Sequence, residues 1–247
     1  MTSNTSATAI AENLARVRER IAKSCERSGR SSSDITLVAI SKTFPVKAIR
    51  AAYAEGQRHF GENRVQEWET KSKELADLKA TWHFIGHLQS NKARRAAQLF
   101  TQVDSVDSVA LAQRLDASAE QSQKRLPVLI EVRLSAEQTK TGVAEANLEQ
   151  LARSILSLPH LELRGLMTIP PYYEDPEKVR PYFQKLRELR DFLSEKCSQS
   201  LPTPLPVLSM GMSHDFEVAI GEGATEIRVG TAIFGDRENL NEPLNHH

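Results

Sequence analysis

Cysteine is scarce in this chain: Cys25 and Cys197 are all it has, too few for a disulfide framework and without the close spacing of a metal-binding pair. Net charge is missing as well. Lys and Arg number 32 and Asp and Glu 32, which argues against a nucleic-acid or anionic-membrane surface. Long apolar runs are absent; none approaches the roughly 20 residues that cross a bilayer. The segment Met1-Thr2-Ser3-Asn4-Thr5-Ser6 has neither the basic start nor the apolar stretch of a signal peptide. No G-x-G-x-x-G follows any strand-like segment, which disfavours an open dinucleotide-binding sheet. Together these absences predict a cytoplasmic protein with reduced thiols, no membrane or nucleic-acid partner and, with no long apolar patch legible, a monomer.

What is present is a repeating order of strand and helix. Ile10, Leu14, Val17, Ile21 and Cys25 recur at helical spacing, with Gly29 as a stop, so a helix precedes the repeat. Apolar or β-rich segments follow at 35–40, 58–62, 82–86, 102–106, 127–133, 162–168, 206–210 and 226–230, each succeeded by a helical pattern. Strands alternating with helices imply parallel pairing, and eight such units close a (β/α)8 TIM barrel; 247 residues suffice for it. Pro45 with Val46, Ile49 and Tyr53, closed by Gly56, reads as the first barrel helix. Phe183, Leu186, Leu189, Leu193 and Cys197 form the apolar stripe of the sixth. The proline-rich Leu201-Pro202-Thr203-Pro204-Leu205-Pro206 falls where a helix-to-strand loop is expected, so one domain over 8–235, with a tail at 236–247, is the simpler reading. His246-His247 is set aside as resembling an expression tag.

In such a barrel the residues that end the strands share one rim. Lys42 follows the run Ile35-Thr36-Leu37-Val38-Ala39-Ile40. A half-buried amine there is able to lose its proton and condense with an aldehyde; the alternative is a solvated loop lysine. The rim also receives Asn63, His83 and His87, Ser105 and Asp107, Arg133, Met167 with Thr168, Met210 to Ser213, and Arg228 to Thr231. Two segments suit an anion. Ser209-Met210-Gly211-Met212-Ser213-His214-Asp215-Phe216-Glu217 runs through a glycine toward a helix with Ser213 at its N-cap. Glu226-Ile227-Arg228-Val229-Gly230-Thr231-Ala232-Ile233-Phe234-Gly235 adds the N–H groups of Gly230 and Thr231 and a hydroxyl. Loops after the seventh and eighth strands commonly hold phosphate in TIM barrels, against the alternative of purely structural caps. His83 and His87, with a glycine between them and no third ligand, read as rim support rather than a metal pair. Asp215 and Glu217 read as stabilising a first helical turn, and Tyr172-Tyr173 as surface aromatics.

The motifs Val38-Ala39-Ile40-Ser41-Lys42-Thr43, Gly61-Glu62-Asn63, Trp82-His83-Phe84-Ile85-Gly86-His87-Leu88-Gln89, Lys140-Thr141-Gly142-Val143 and Gly165-Leu166-Met167-Thr168, followed by the two C-terminal segments, resemble the pyridoxal phosphate homeostasis protein family over residues 8–235. The resemblance implies a TIM barrel of the PLP fold type III kind, similar to the N-terminal domain of alanine racemase, that carries pyridoxal 5'-phosphate (PLP). It implies Lys42 as the internal aldimine lysine, the phosphate near Ser213, Gly230 and Thr231, Asn63 close to the ring, and Met210 among the cofactor contacts. Arg228 would face the pyridine nitrogen, where an arginine keeps its own proton and leaves the ring a weaker electron sink; pairing with phosphate or a structural carboxylate is the alternative. Two positions depart from the family: Arg133, where many members have asparagine, and Arg64, where tyrosine is frequent.

Racemisation requires an acid or base on each face of the substrate Cα. Alanine racemases take their second group, a tyrosine, from a C-terminal β-domain, whereas this chain ends soon after its eighth strand. The resemblance therefore implies a store and deliverer of PLP in the cell, without strong catalytic activity and with PLP-dependent apo-enzymes as partners. The alternatives are a single-domain racemase-like enzyme and a Schiff-base aldolase; the latter is disfavoured because its lysine lies deep on a middle strand.

Overall fold

Helix α1 (Ala7–Arg27) starts where the Ser6 hydroxyl accepts the Ala9 N–H at 3.1 Å and stops before Gly29, whose φ of 64° ends the turn. Its Ile10, Leu14, Val17, Ile21 and Cys25 are all buried, as their spacing predicts. The computed structural model describes residues 6–135, 141–201 and 204–235. Residues 1–5, Lys140 of the Lys-Thr-Gly-Val motif, Pro202-Thr203 of the proline-rich segment and the 236–247 tail with His246 and His247 lie outside the described residues.

The strands are β1 (Thr36–Ile40), β2 (His59–Glu62), β3 (Thr81–Phe84), β4 (Gln102–Val106), β5 (Leu126–Arg133), β6 (Val143–Ala144), β7 (Leu161–Met167), β8 (Val207–Ser209) and β9 (Glu226–Val229). Between them lie α2 (Val46–Ala54), α3 (Val65–Glu74), α4 (Ala93–Leu99), α5 (Val109–Gln121), α6 (Glu145–Leu156), α7 (Arg180–Lys196) and α8 (Phe216–Gly221), and α9 (Thr231–Phe234) follows β9. All pairings are parallel, in the order β4-β3-β2-β1-β9-β8-β7-β5, and a β4–β5 pairing closes the ring. The result is the expected eight-stranded TIM barrel. Two-residue β6 is an addition that pairs with the end of β5, through Val132 and Val143, and is too short to leave a sequence pattern.

Partners in a parallel ladder point to the same side, and side chains alternate along each strand. Ala39, Phe60, Trp82, Phe84, Val103, Ile130, Leu166, Leu208, Ile227 and Val229 therefore face the helices and form the apolar layer around the barrel. Burying each larger side chain there contributes roughly 1.5–3 kcal/mol. The inside is different in kind. Val38 pairs with both His59 and Arg228, His83 with Gln102, and Ser209 with Glu226, so polar side chains converge on the barrel axis.

Helix α1 packs on α2, α8 and α9 outside the barrel. Arg20 pairs with Glu217 at 2.7 Å, Arg30 donates to the Ile220 and Ala224 carbonyls at 2.9 and 2.7 Å, and Asn13 donates to the Ile233 carbonyl at 2.9 Å. Cys25 and Cys197 are free, buried thiols, and burial raises the pKa of each. Among the described residues no helix is long and apolar enough to cross a membrane.

Candidate functional site

At the C-terminal ends of the strands lies a pocket of about 390 Å³, within the range of small-ligand sites, and Lys42, Asn63, Ser213, Arg228, Gly230 and Thr231 all line it. Met210 does not. It follows Ser209, which faces the axis, so alternation turns Met210 into the helix-facing core, where it is fully buried; Met212 lines the pocket instead.

Lys42 sits on a tightly held turn. On one side, buried Ser41 donates its N–H to the Gly61 carbonyl at 3.0 Å and its hydroxyl to Glu62 Oε1 at 2.8 Å. On the other, the Thr43 N–H donates to Glu67 Oε1 at 2.6 Å. Lys71 joins the two sides: its Nζ reaches the Ser41 carbonyl at 3.0 Å, Glu62 Oε1 at 3.1 Å and Glu67 Oε1 at 2.6 Å. Burial pushes the Glu62 carboxyl above its ordinary range, against the pull of Lys71 and Ser41. For Glu67 burial acts upward too, but the hydrogen bonds from Lys71 and Thr43 win and hold it low. Thr43 itself has a φ of 70°, a left-handed backbone that costs a β-branched residue about 1–2 kcal/mol. The chain thus carries strain next to the lysine, and the Glu67–Lys71 pair opposes its release.

Arg228, 3% exposed, rises from β9 and donates to Ser209 Oγ at 2.7 Å and the Thr168 carbonyl at 2.8 Å. Burial lowers its pKa, opposed by Glu226, Asp104, Asp215 and Glu131, and a guanidinium keeps its proton throughout. Behind it runs the polar axis. His83 Nδ1 meets Asp104 Oδ2 at 2.9 Å and lies 3.7 Å from Glu226 Oε2, while His83 Nε2 meets His59 Nδ1 at 3.0 Å. Burial raises Glu226 to about 7, with Asp104 acting in the same direction. Burial lowers His59 to about 4, helped by His83. For His83 burial is outweighed by Asp104, and its pKa rises. These shifts concentrate positive charge on His83, between two carboxyls. The ligand atoms of His83, Asp104 and Glu226 lie within 4.8 Å of one another, and the first two already meet in a direct hydrogen bond.

Another part of the pocket wall is a turn rich in N–H groups. Ser213 Oγ accepts from Gly230 at 3.3 Å and Ala232 at 3.5 Å, tying the loop after β8 to the turn after β9. Ser213 is not the helix cap expected of it. Helix α8 begins after Asp215, whose carboxylate accepts the Met212 N–H at 2.6 Å and folds the intervening residues into a turn that puts Ser213 at the pocket wall. Glu217 stands in the first turn of α8, as expected, and pairs with Arg20.

Glu131, a residue of the wall, lies outside the expected rim set. Glu131, buried on β5, accepts the Thr141 hydroxyl at 2.7 Å; burial raises its pKa and the Thr141 hydrogen bond opposes this. Its signal was the alternation Leu129-Glu131-Arg133 between apolar Val128, Ile130 and Val132. His83 and His87 diverge, His83 into the axis and His87 to the pocket mouth, where Asp107 Oδ2 lies 3.5 Å from its Nδ1. Gly86 allows this: a Cβ there would stand 2.4 Å from the Asn63 carbonyl oxygen. Arg64 is exposed just before α3, and Arg133 is half-buried at the end of β5. Tyr172, 73% exposed, lies against His214 with ring centroids 5.4 Å apart, and the Tyr173 and Tyr182 hydroxyls meet at 3.0 Å.

Fold and pocket together define a lysine-bearing (β/α)8 barrel. The family model for the alanine racemase N-terminal domain matches residues 6–238. The pyridoxal phosphate homeostasis protein of Aquifex aeolicus is 49% identical over 92% of this chain and 98% of its own length, and that of Pseudomonas aeruginosa 45% identical over 93% and 96%. The structure of PipY from Synechococcus elongatus with PLP bound is 42% identical, covers 92% of this chain and all of its own, and superposes with a TM-score of 0.81. The chain belongs to the pyridoxal phosphate homeostasis protein family, within the alanine racemase N-terminal domain group.

Proposed function

We propose that this protein binds PLP through a Schiff base on Lys42 and takes part in its intracellular homeostasis by storing and delivering it, without strong catalytic activity. The observation that carries the reading is the convergence of Lys42, Arg228 and the Ser213–Gly230–Thr231 turn on one pocket, in a chain 42% identical to PLP-bound PipY. The residues fit the group. Lys42 supplies an amine for the aldehyde, hydroxyl and N–H donors at Ser213, Gly230 and Thr231 suit a phosphate, and Arg228 and Asn63 line the same pocket as partners for the ring. When bound, PLP supplies an electrophilic carbonyl that condenses reversibly with amines, which makes a protein-held form a chemically sensible store. Asn63 is held by contact with Gly86, Arg228 by Ser209 and Thr168, and the lysine turn by Glu62, Glu67 and Lys71.

A carrier rather than a racemase is supported by the wall. Racemisation needs proton donors on both faces of a Cα, and no tyrosine is among the described residues that line this pocket. The proposal extends to a cytoplasmic monomer whose functional unit is residues 8–235, with PLP-dependent apo-enzymes as recipients; the relatives' names support the homeostatic role. The test is the near-UV and visible spectrum of the protein and of Lys42→Ala with added PLP, before and after borohydride. An absorbance band that borohydride abolishes, with the label mapped to Lys42, is expected. No band in the wild type refutes PLP binding, and sustained amino-acid racemisation lost in Lys42→Ala refutes the carrier.

A further inference from the structure

Delivery from a covalent store requires the incoming amine to be deprotonated, because an ammonium ion has no lone pair. The proposed function names no group for this. The pocket mouth offers one. His87 lines the same pocket as Lys42, its side chain is 54% exposed, and Asp107, 19% exposed, stands 3.5 Å from its Nδ1. The carboxylate beside Nδ1 favours the tautomer with its proton on that nitrogen, which leaves Nε2 as the unprotonated one that a general base needs. The ring is well positioned: the Gly86 carbonyl accepts the Ser105 hydroxyl at 2.6 Å, and Gly86 packs on Asn63 with no space for a side chain.

We propose that His87 is the acid–base residue for amine exchange at Lys42, with Asp107 as its positioning residue, and that the substrate class is a primary amine such as a lysine side chain of a recipient. The inference rests on the Lys42 reading above. An incoming ammonium gives one proton to Nε2 of His87. Its nitrogen then bonds to the carbon held by Lys42 as the double bond from that carbon to Nζ becomes single, a second proton passes from the new nitrogen to Nζ, the remaining carbon–Nζ bond breaks as the new nitrogen takes up the double bond, and His87 returns the first proton to Nζ. One C=N bond forms, one breaks, two protons move from the incoming nitrogen to Nζ, and no electron acceptor is needed. The Asp107 carboxylate beside His87 favours the approach of a cation.

The experiment follows exchange of PLP-loaded wild type, His87→Ala, His87→Gln and Asp107→Asn with methylamine, together with the rate at which each apo-protein takes up added PLP. Loading is scored by borohydride trapping on Lys42. Exchange and uptake are expected to slow about 100-fold in both His87 variants. Added imidazole should restore His87→Ala, whose vacated space admits it. Asp107→Asn should lower the limiting rate at saturating methylamine and leave the half-saturating concentration unchanged. Exchange by either His87 variant within twofold of wild type, or no rescue of His87→Ala by imidazole, overturns the inference while the trapped adduct upholds the Lys42 reading. Wild type without a trapped adduct on Lys42 overturns that reading, and this inference with it.

Discussion

Replacing Lys71 by methionine tests how the lysine turn is held. Lys71 Nζ contacts Glu62 Oε1 at 3.1 Å, and Glu62 is fully buried, its second carboxylate oxygen having no hydrogen-bond partner. Methionine retains the packing of the lysine stem and removes only the cation. Breaking a buried pair from one side costs about 3–5 kcal/mol, because it strands the other charge. Glu62 has an outlet in that its pKa is already raised by burial, so it takes up a proton and the loss falls at the lower end, about 3 kcal/mol. In a domain of this size about 3 kcal/mol is roughly 6–12 °C in Tm. The pH dependence has a definite sign. Glu62 with a raised folded pKa stabilises the fold while protonated, below its unfolded pKa, and loses that contribution as pH rises through the folded value. The Tm deficit of Lys71→Met should therefore be larger at pH 8 than at pH 5. Lys71→Met/Glu62→Gln, with both charges removed, should recover most of the loss. Calorimetry of the three proteins at the two pH values is the assay. A single variant within about 2 °C of wild type at both would refute the claim that this buried pair braces the turn.

Gly86→Ala places a Cβ 2.4 Å from the Asn63 carbonyl oxygen, so we expect a loss of about 1–3 kcal/mol, read by urea unfolding, and weaker PLP binding through displaced Asn63. Glu226, raised to about 7 by burial, stabilises the fold while protonated and loses this as pH rises through about 7; Glu226→Gln should flatten the fall in Tm between pH 5 and 8. His59 has the opposite sign. Lowered to about 4, it stabilises the fold above its unfolded value and loses this as pH falls toward 4, so His59→Gln should blunt acid unfolding, measured by circular dichroism.

Much of the fold was legible because each outward strand face and each helix stripe is locally apolar. The eight expected segments coincide with barrel strands to within about two residues, the usual uncertainty of element ends, and the stripes of α1 and α7 are buried as their spacing requires. Of the seven expected site residues, six share the pocket, since residues that end neighbouring strands must meet at one rim. Met210 lies in the core rather than on the wall, because in a three-residue strand a one-position difference decides between the two. Ser213 failed as a cap because Asp215, two residues on, competes for the same turn. The His59–His83–Asp104–Glu226 axis and the Lys71 clamp have no local signature at all. Their members come from different units of the chain and meet only through closure of the barrel.

Closure also sets when the pocket comes into being. Strand β1 is flanked by β2 on one side and by β9 on the other, and α1 is fastened to α8 and α9 at the far end of the sequence. Lys42 therefore waits, beside an open sheet edge, until Arg228 and Gly230 have been synthesised. A chain cut short before β9 has neither Arg228 nor the Gly230–Thr231 turn and therefore lacks that wall of the pocket, however well its earlier strands pair.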